Sequence, residues 1–161
     1  MYEVCKAQYE SLPGVEAIYA RARKFMAEHG NPGQWKTSYP SKELLLRDIA
    51  EGKLYLITEN EIIHGVFYFS IEQDPTYKVI YNGVWHSDRR YGVIHRIAGD
   101  GSGGILRTAV NFALRQIDHL RIDTHEDNYV MQRALNKLGF QLCGTIYIED
   151  GSARIAYDKL V

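Results

Sequence analysis

The sequence predicts a mixed α/β fold: a central twisted sheet with one parallel pair of strands, flanked by helices. Three observations point to it. Between Tyr91 and His125 an apolar run, YGVIHRIA, passes through a glycine cluster, GDGSGG, into a periodic segment, ILRTAVNFALRQ, and out into a second apolar run, HLRIDTH. Strand, glycine turn, helix and strand in that order make a crossover, which sets the two strands parallel. Upstream, LYLIT and IIHGVFYFSI alternate with a period near two, as a half-buried antiparallel hairpin does. Downstream, FQLCGTIYI and SARIAYDKL flank a turn at Glu149-Asp150-Gly151-Ser152 and close the sheet with a second hairpin.

The remaining elements follow in chain order. Residues 2–8 alternate weakly and read as a short first strand. Ser11 and Pro13 open a helix whose apolar stripe, Val15, Ile18, Tyr19, Ala22, Phe25 and Met26, recurs at three- and four-residue spacing and stops at Gly30-Asn31-Pro32. His29 caps its last turn, where positive charge complements the helix dipole. Ser41 N-caps a second helix through Ala50, with Gly52 at the C′ position. Within the first hairpin, Gly65 marks a bulge or a close backbone approach, and His64 beside it reads as structural. A further strand is expected around Tyr77 to Tyr81, and Asn82-Gly83 is a turn signal. His95 and Arg96, adjacent on the central strand, are expected on opposite faces. A last helix, from Asn128 to Leu138, ends at Gly139.

Composition excludes several classes. The chain has 161 residues, 18.5 kDa and 45% hydrophobic residues, which fits one compact domain over residues 1–161. Its net charge is −1 and its basic residues are dispersed, so the electrostatic footprint of a nucleic-acid binder is missing. Cys5 and Cys143 form neither a C-x-x-C pair nor a disulfide framework and read as reduced thiols of a cytoplasmic protein. No apolar run approaches the roughly 18 residues of a membrane-spanning helix, and MYEVCKAQYE lacks a signal-peptide core. The six histidines show no H-E-x-x-H or Cys/His ligand spacing, so no metal is expected.

The glycine cluster opens a helix. The first amides of a helix lack intrahelical partners and the macrodipole favours negative charge there, so this turn suits a phosphate. One reading is a dinucleotide fingerprint, with Gly99, Gly101 and Gly104 at G-x-G-x-x-G spacing and Asp123 placed for a ribose. Against it, about ninety residues precede the motif, which usually opens its domain. A serine-protease reading of GDGSGG fails on the extra glycine and on the helical pattern that follows. A loop that binds nothing is the third alternative.

The segments HRIAGDGSGGILRTAV, RIDTHEDNYVMQRALNKLGF and CGTIYIEDGSARIAY resemble the acetyl-CoA-binding core of the GCN5-related N-acetyltransferases. DTHEDN, LGF and EDGSARIAY resemble a bacterial subgroup, and the likeness runs coarsely over the whole chain. This resemblance ranks first. It implies transfer of an acetyl group from acetyl-CoA to a primary amine of a small molecule or peptide, without a metal, nucleic acid or membrane, in a monomer or homodimer. The pantetheine arm is expected between the splayed strands, with a backbone N–H between Ile94 and Ala98, assigned to Ile97, on the thioester carbonyl. Ile97, Ala98, Gly101, Ser102, Gly103, Gly104, Ile105 and Asn128 are the expected cofactor contacts. Trp35 and Tyr39, in the loop GNPGQWKTSYP, and Asp123 are the expected acceptor contacts.

Two departures accompany the resemblance. The family's loop pattern Q/R-x-x-G-x-G/A is altered: with Gly104 as inner glycine, Gly101 replaces the polar residue and Leu106 the closing small one. On the last helix Asn128 is kept, but Leu135 stands where many members carry the tyrosine that protonates the leaving thiolate. From position alone, His125 at the end of the second parallel strand is the candidate proton carrier, flanked by Asp123 and Glu126; capping of the next helix by Asp123, Thr124 and Asp127 is the competing reading. Two other functions stay open, a dinucleotide-binding oxidoreductase and a non-catalytic acyl-CoA-binding module.

Overall fold

The computed structural model describes residues 1–161. Its strands are β1 (Glu3–Lys6), β2 (Leu54–Glu59), β3 (Ile62–Ile71), β4 (Gly92–Gly99), β5 (His119–Thr124), β6 (Gln141–Tyr147) and β7 (Ala153–Leu160). Its helices are α1 (Leu12–Glu28), α2 (Lys42–Ala50), α3 (Ile105–Leu114) and α4 (Tyr129–Lys137). The strands form one seven-stranded sheet in the order β1-β2-β3-β4-β5-β7-β6. Only β4 and β5 run parallel; the final strand, β7, inserts antiparallel between β5 and β6.

Strand alternation divides the core between the two faces of the sheet. Leu54, Leu56, Val66 and Ala98 face one way, onto Leu12, Val15 and Ile18 of α1 and Leu45 and Ile49 of α2. Ile57, Phe67, Phe69 and Ile94 face the other way, onto Ile105, Ala109, Val110 and Ala113 of α3 and Leu135 of α4. A period of two in the strands and of 3.6 in the helices makes that division possible. The helix ends are capped as their sequences require: Ser41 Oγ accepts from Leu44 N at 3.2 Å, Asn128 Oδ1 accepts from Met131 N at 3.1 Å, and Gly139 takes φ 83° after α4. His29 stacks on Phe25 and its ring Nδ1 lies 2.8 Å from the Phe25 carbonyl. No helix is long and apolar enough to cross a membrane.

The strand expected at Tyr77–Tyr81 does not form. Asp74 and Pro75 favour a capped turn, and the Asp74 carboxylate accepts from Thr76 N at 2.9 Å to open a short 3₁₀ turn, Pro75–Tyr77. Only Tyr81 makes a bridge, to Thr145 on the outer edge of β6. The connection between β3 and β4 instead folds over the sheet, where Tyr77 and Tyr91 pack with Val93, Cys143, Ile146 and Ala156. It lies so close that a Cβ on Gly83 would sit 1.7 Å from the Cys143 carbonyl oxygen. Gly83→Ala is therefore expected to lift the connection off β6 at a cost of about 1–3 kcal/mol, read by urea unfolding; unchanged stability would mean that the connection does not pack there.

Candidate active site

β4 and β5 pair only through Gly92 with Leu120 and Val93 with Arg121. Beyond those residues the strands part, and a cleft of about 740 Å³ opens between them, lined by Ile94 to Ile97 from β4 and by Ile122 and Asp123 from β5. A bulge on β4 accompanies the parting. Val66 pairs with Ala98 and Tyr68 with His95, which leaves Phe67 opposite both Arg96 and Ile97. Arg96 takes φ 51°, a left-handed conformation unusual for a residue with a side chain, and its surroundings hold it there. The Tyr19 hydroxyl donates to the Arg96 carbonyl at 2.7 Å, the Asp48 carboxylate accepts from Arg96 Nε and Nη2 at 2.9 Å each, and the guanidinium lies 4.4 Å above the Tyr68 ring. The bulge breaks the alternation on which the sequence expectation rested: His95 and Arg96 both line the cleft.

His95 sits between two carboxylates. Its Nε2 is 2.6 Å from Asp74 Oδ2, and its Nδ1 is 4.0 Å from Asp123 Oδ2. Burial pushes the Asp74 carboxyl up, but the hydrogen bond and charge of His95 and the bonds from Thr76 outweigh it and hold the group down at about 2. Asp74 is therefore ionised at neutral pH and can only accept, so Nε2 carries a proton and Nδ1 is the ring nitrogen turned toward Asp123. Tyr77 supports the far side, its hydroxyl donating to Asp123 Oδ2 at 2.6 Å. Burial and the Asp123 charge push the Tyr77 hydroxyl far above the phenol range, which keeps it a donor. The depressed Asp74 group contributes stability that is present above its unfolded value near 4 and is lost as pH falls through about 2. Acid unfolding of Asp74→Asn followed by circular dichroism should accordingly be flatter than wild type between about pH 4 and pH 2.

Of the residues nominated from sequence, Trp35, Tyr39, Ile97, Asp123 and Asn128 line the cleft. Trp35 is also buried against Tyr19, and the Tyr39 hydroxyl accepts from Arg96 Nη1 at 3.3 Å. Asn128 has both ends of its amide engaged, with Met131 N and with Gln34 Oε1 at 3.0 Å. His125 lies outside the cleft. Its Nδ1 accepts from Asp127 N at 3.0 Å in the turn between β5 and α4, where Asn128, rather than Asp123, Thr124 or Asp127, caps the helix. Leu135 is fully buried, so α4 presents no hydroxyl at that position. Sequence reasoning missed Gln34, Asp48, Asp74 and Arg154, which also line the cleft. No local pattern distinguishes them, because each is brought in by a different connection, helix or strand.

At the glycine cluster, Ala98 packs under α1 and α2, and Gly104, at φ 84°, is the N-cap residue of α3 with no side chain to occupy the first amides. The loop around it is braced from outside: Asp100 accepts from Ser102 N at 2.9 Å and pairs with His64 Nδ1 at 2.8 Å, and the Tyr2 hydroxyl donates to the Gly103 carbonyl at 3.1 Å. His64 itself stands at a register shift in the β2–β3 pairing, as Gly65 beside it foretold. Ile105 fills the space left by Gly65, where a Cβ would meet it at 2.8 Å. The helix start is thus open to an anion while its loop is fixed.

A scan of protein-family models found no match, and a search of curated proteins found none either. Among solved structures, a GNAT-family acetyltransferase from Streptococcus agalactiae superposes with a TM-score of 0.90 at 28% identity, over 99% of this chain and 95% of that one. In fold and sequence the chain is similar to the GCN5-related N-acetyltransferases. That likeness to named acetyltransferases supports an acyltransferase. More distant structures share the fold, among them a ribosomal-protein-alanine N-acetyltransferase from Brucella melitensis, at 16% identity, TM-score 0.65 and 99% coverage of both chains. Another is the N-acetylglutamate synthase of Neisseria gonorrhoeae complexed with coenzyme A and N-acetyl-glutamate, at 13% identity and TM-score 0.62, over 99% of this chain and 35% of that one. The dinucleotide reading of Gly99, Gly101 and Gly104 falls with the topology: the sheet has one parallel pair, not a doubly wound set.

Proposed function

We propose that residues 1–161 act as one catalytic domain that transfers an acetyl group from acetyl-CoA directly to a primary amine of a small molecule or peptide. The observation that carries this reading is the parting of β4 and β5 after two residue pairs, beside a bulge at Arg96 and Ile97. An extended pantetheine arm fits such a gap as a strand would. The fold neighbour complexed with coenzyme A supports the choice of donor. The Ile97 N–H donates to the thioester carbonyl and stabilises the oxyanion, Ala98 continues that edge, and the amides of Gly101, Ser102, Gly103, Gly104 and Ile105 take the pyrophosphate. Asn128 shapes the rim by fixing α4 and Gln34.

The acceptor lies in the cleft beside Trp35 and Tyr39, with its amine between His95 Nδ1 and Asp123. The amine nitrogen attacks the carbonyl carbon, the carbon–sulfur bond breaks, and CoA leaves as the thiolate. His95 Nδ1 takes the proton released from nitrogen, and the Asp74 carboxylate steadies the imidazolium so formed. Asp123 attracts the amine by charge. His95 replaces His125 in this assignment because it faces the cleft. Incubation with acetyl-CoA and a panel of polyamines, amino acids and peptides, followed by mass spectrometry, should yield an N-acetylated product with one CoA released per product. Acetyl-CoA binding without product from any amine would favour a non-catalytic binding module instead.

A further inference from the structure

We propose, resting on the acetyl transfer set out above, that its acceptor is an amine carrying its own carboxylate, of the amino-acid class, and that Arg154 binds that carboxylate.

Arg154, on β7, lines the cleft yet is only 6% exposed. A buried guanidinium stays charged and ordinarily has a carboxylate beside it. Elsewhere in the cleft, Arg96 has Asp48, and Lys53 has Glu51 and Glu72. Arg154 has none. Its Nη1 donates to Ser152 Oγ at 3.1 Å and to the Ala153 carbonyl at 2.9 Å, and its Nη2 donates to the Gln34 carbonyl at 3.4 Å, all neutral acceptors. Nε takes part in none of these bonds. The Nε–Nη2 edge, the one with which Arg96 grips Asp48, therefore keeps donors for a planar, negatively charged partner. Asp150, in the turn before β7, is exposed, accepts from Ser152 N at 2.9 Å and does not pair with Arg154.

The sheet sets this cation beside the acceptor's amine. Asp123 pairs with Ala156 across β5 and β7, and Arg154, two residues along, shares that face. Residues so related are diagonal neighbours, about 7–8 Å apart. The cleft thus offers Asp123 to an ammonium and, one diagonal away, Arg154 to a carboxylate. Lys36, which takes φ 57°, lines the cleft as well. Asp150 is held below the ordinary carboxylate range by its bonds from Ser152 and, beyond them, by the charges of Arg154 and Lys36, so the two cations share one corner. Gln34, whose carbonyl positions Arg154, is itself anchored, its Oε1 accepting from Asn31 Nδ2 at 2.9 Å and from Asn128 Nδ2 at 3.0 Å. The guanidinium is therefore in place before the acceptor arrives. A polyamine or plain alkylamine, displacing water from the cleft, would leave that buried charge without a partner, which selects against it.

Steady-state acetylation of amino acids, each measured beside its carboxamide and its decarboxylated amine, as with lysine, lysinamide and cadaverine, tests the carboxylate site. The free acids should be favoured in kcat/KM by about 10–100-fold, the worth of a charge-assisted contact. Arg154→Gln should bring that ratio to about one by raising KM for the acids, and Arg154→Lys should restore part of it. A guanidinium that only held the Gln34 loop and the β6–β7 turn would lower acids and amides alike. The wild-type ratio decides between these even if Arg154→Gln fails to fold. A preference for acids that survives Arg154→Gln unchanged would overturn the role of Arg154. Amides and diamines acetylated as readily as the acids would overturn the carboxylate site and leave acetyl transfer standing, whereas no product from any acceptor would overturn both.

Discussion

Replacing His95 by Gln lowers kcat by about 10²–10⁴, the usual worth of a positioned proton acceptor, and leaves KM for acetyl-CoA near its wild-type value. The reason lies in its position. His95 is the histidine whose free nitrogen faces the cleft, and its other nitrogen is fixed by a carboxylate that stays ionised down to about pH 2. The loss should appear in kcat at every pH measured, because the group that takes the proton is gone. Asp74→Asn should fall between the two, since an amide holds the ring but stabilises its charged form poorly. Steady-state kinetics over pH 6–9 on the three proteins checks this. An unaltered kcat in His95→Gln would move the proton to water or to another residue, whereas the same loss in His125→Ala would restore the assignment made from sequence.

Asp48→Ala destabilises the fold by about 3–5 kcal/mol, the second large effect expected. The Asp48 and Arg96 side chains are only 4% and 12% exposed, so removing the carboxylate strands a buried guanidinium that stays charged and has lost its counter-ion. In a chain of this length the melting temperature should fall by on the order of 10 °C. Burial raises the Asp48 carboxyl and Arg96 opposes it, whereas the Arg96 group is raised against its own burial by Tyr39 and Asp48, which describes one mutually dependent pair. The double variant Asp48→Ala/Arg96→Ala should recover part of the lost stability, since it removes the stranded charge as well. A double variant as unstable as the sum of the singles would show that packing against Tyr68 and Tyr19, not charge, holds the bulge.

Much of the fold was legible because it obeys local rules. The crossover from Gly92 to Thr124, the two hairpins, the caps at Ser41 and Asn128 and the stops at Gly30 and Gly139 depend on periodicity and on residues with special backbone preferences. The Tyr77–Tyr81 segment misled because its aromatic and β-branched residues look like strand residues, while Asp74 and Pro75 were dictating a capped turn. The candidate site was legible only in part. Trp35, Tyr39, Ile97 and Asp123 reach the cleft, but the bulge at Arg96 was invisible, and with it the placement of His95. Arg96 adopts its left-handed conformation through Tyr19, Asp48 and Tyr68, which are 77, 48 and 28 positions away in the chain. No window of sequence contains such a cause. The same holds for Asp74.

Calorimetric titration of the protein with acetyl-CoA, CoA and NAD in parallel tests the central claim most directly. Stoichiometric, micromolar binding of acetyl-CoA and CoA, with no heat from NAD, is the result expected if the parted strands and the open start of α3 hold the donor. Binding of NAD alone, or of none of the three by folded protein, would contradict it.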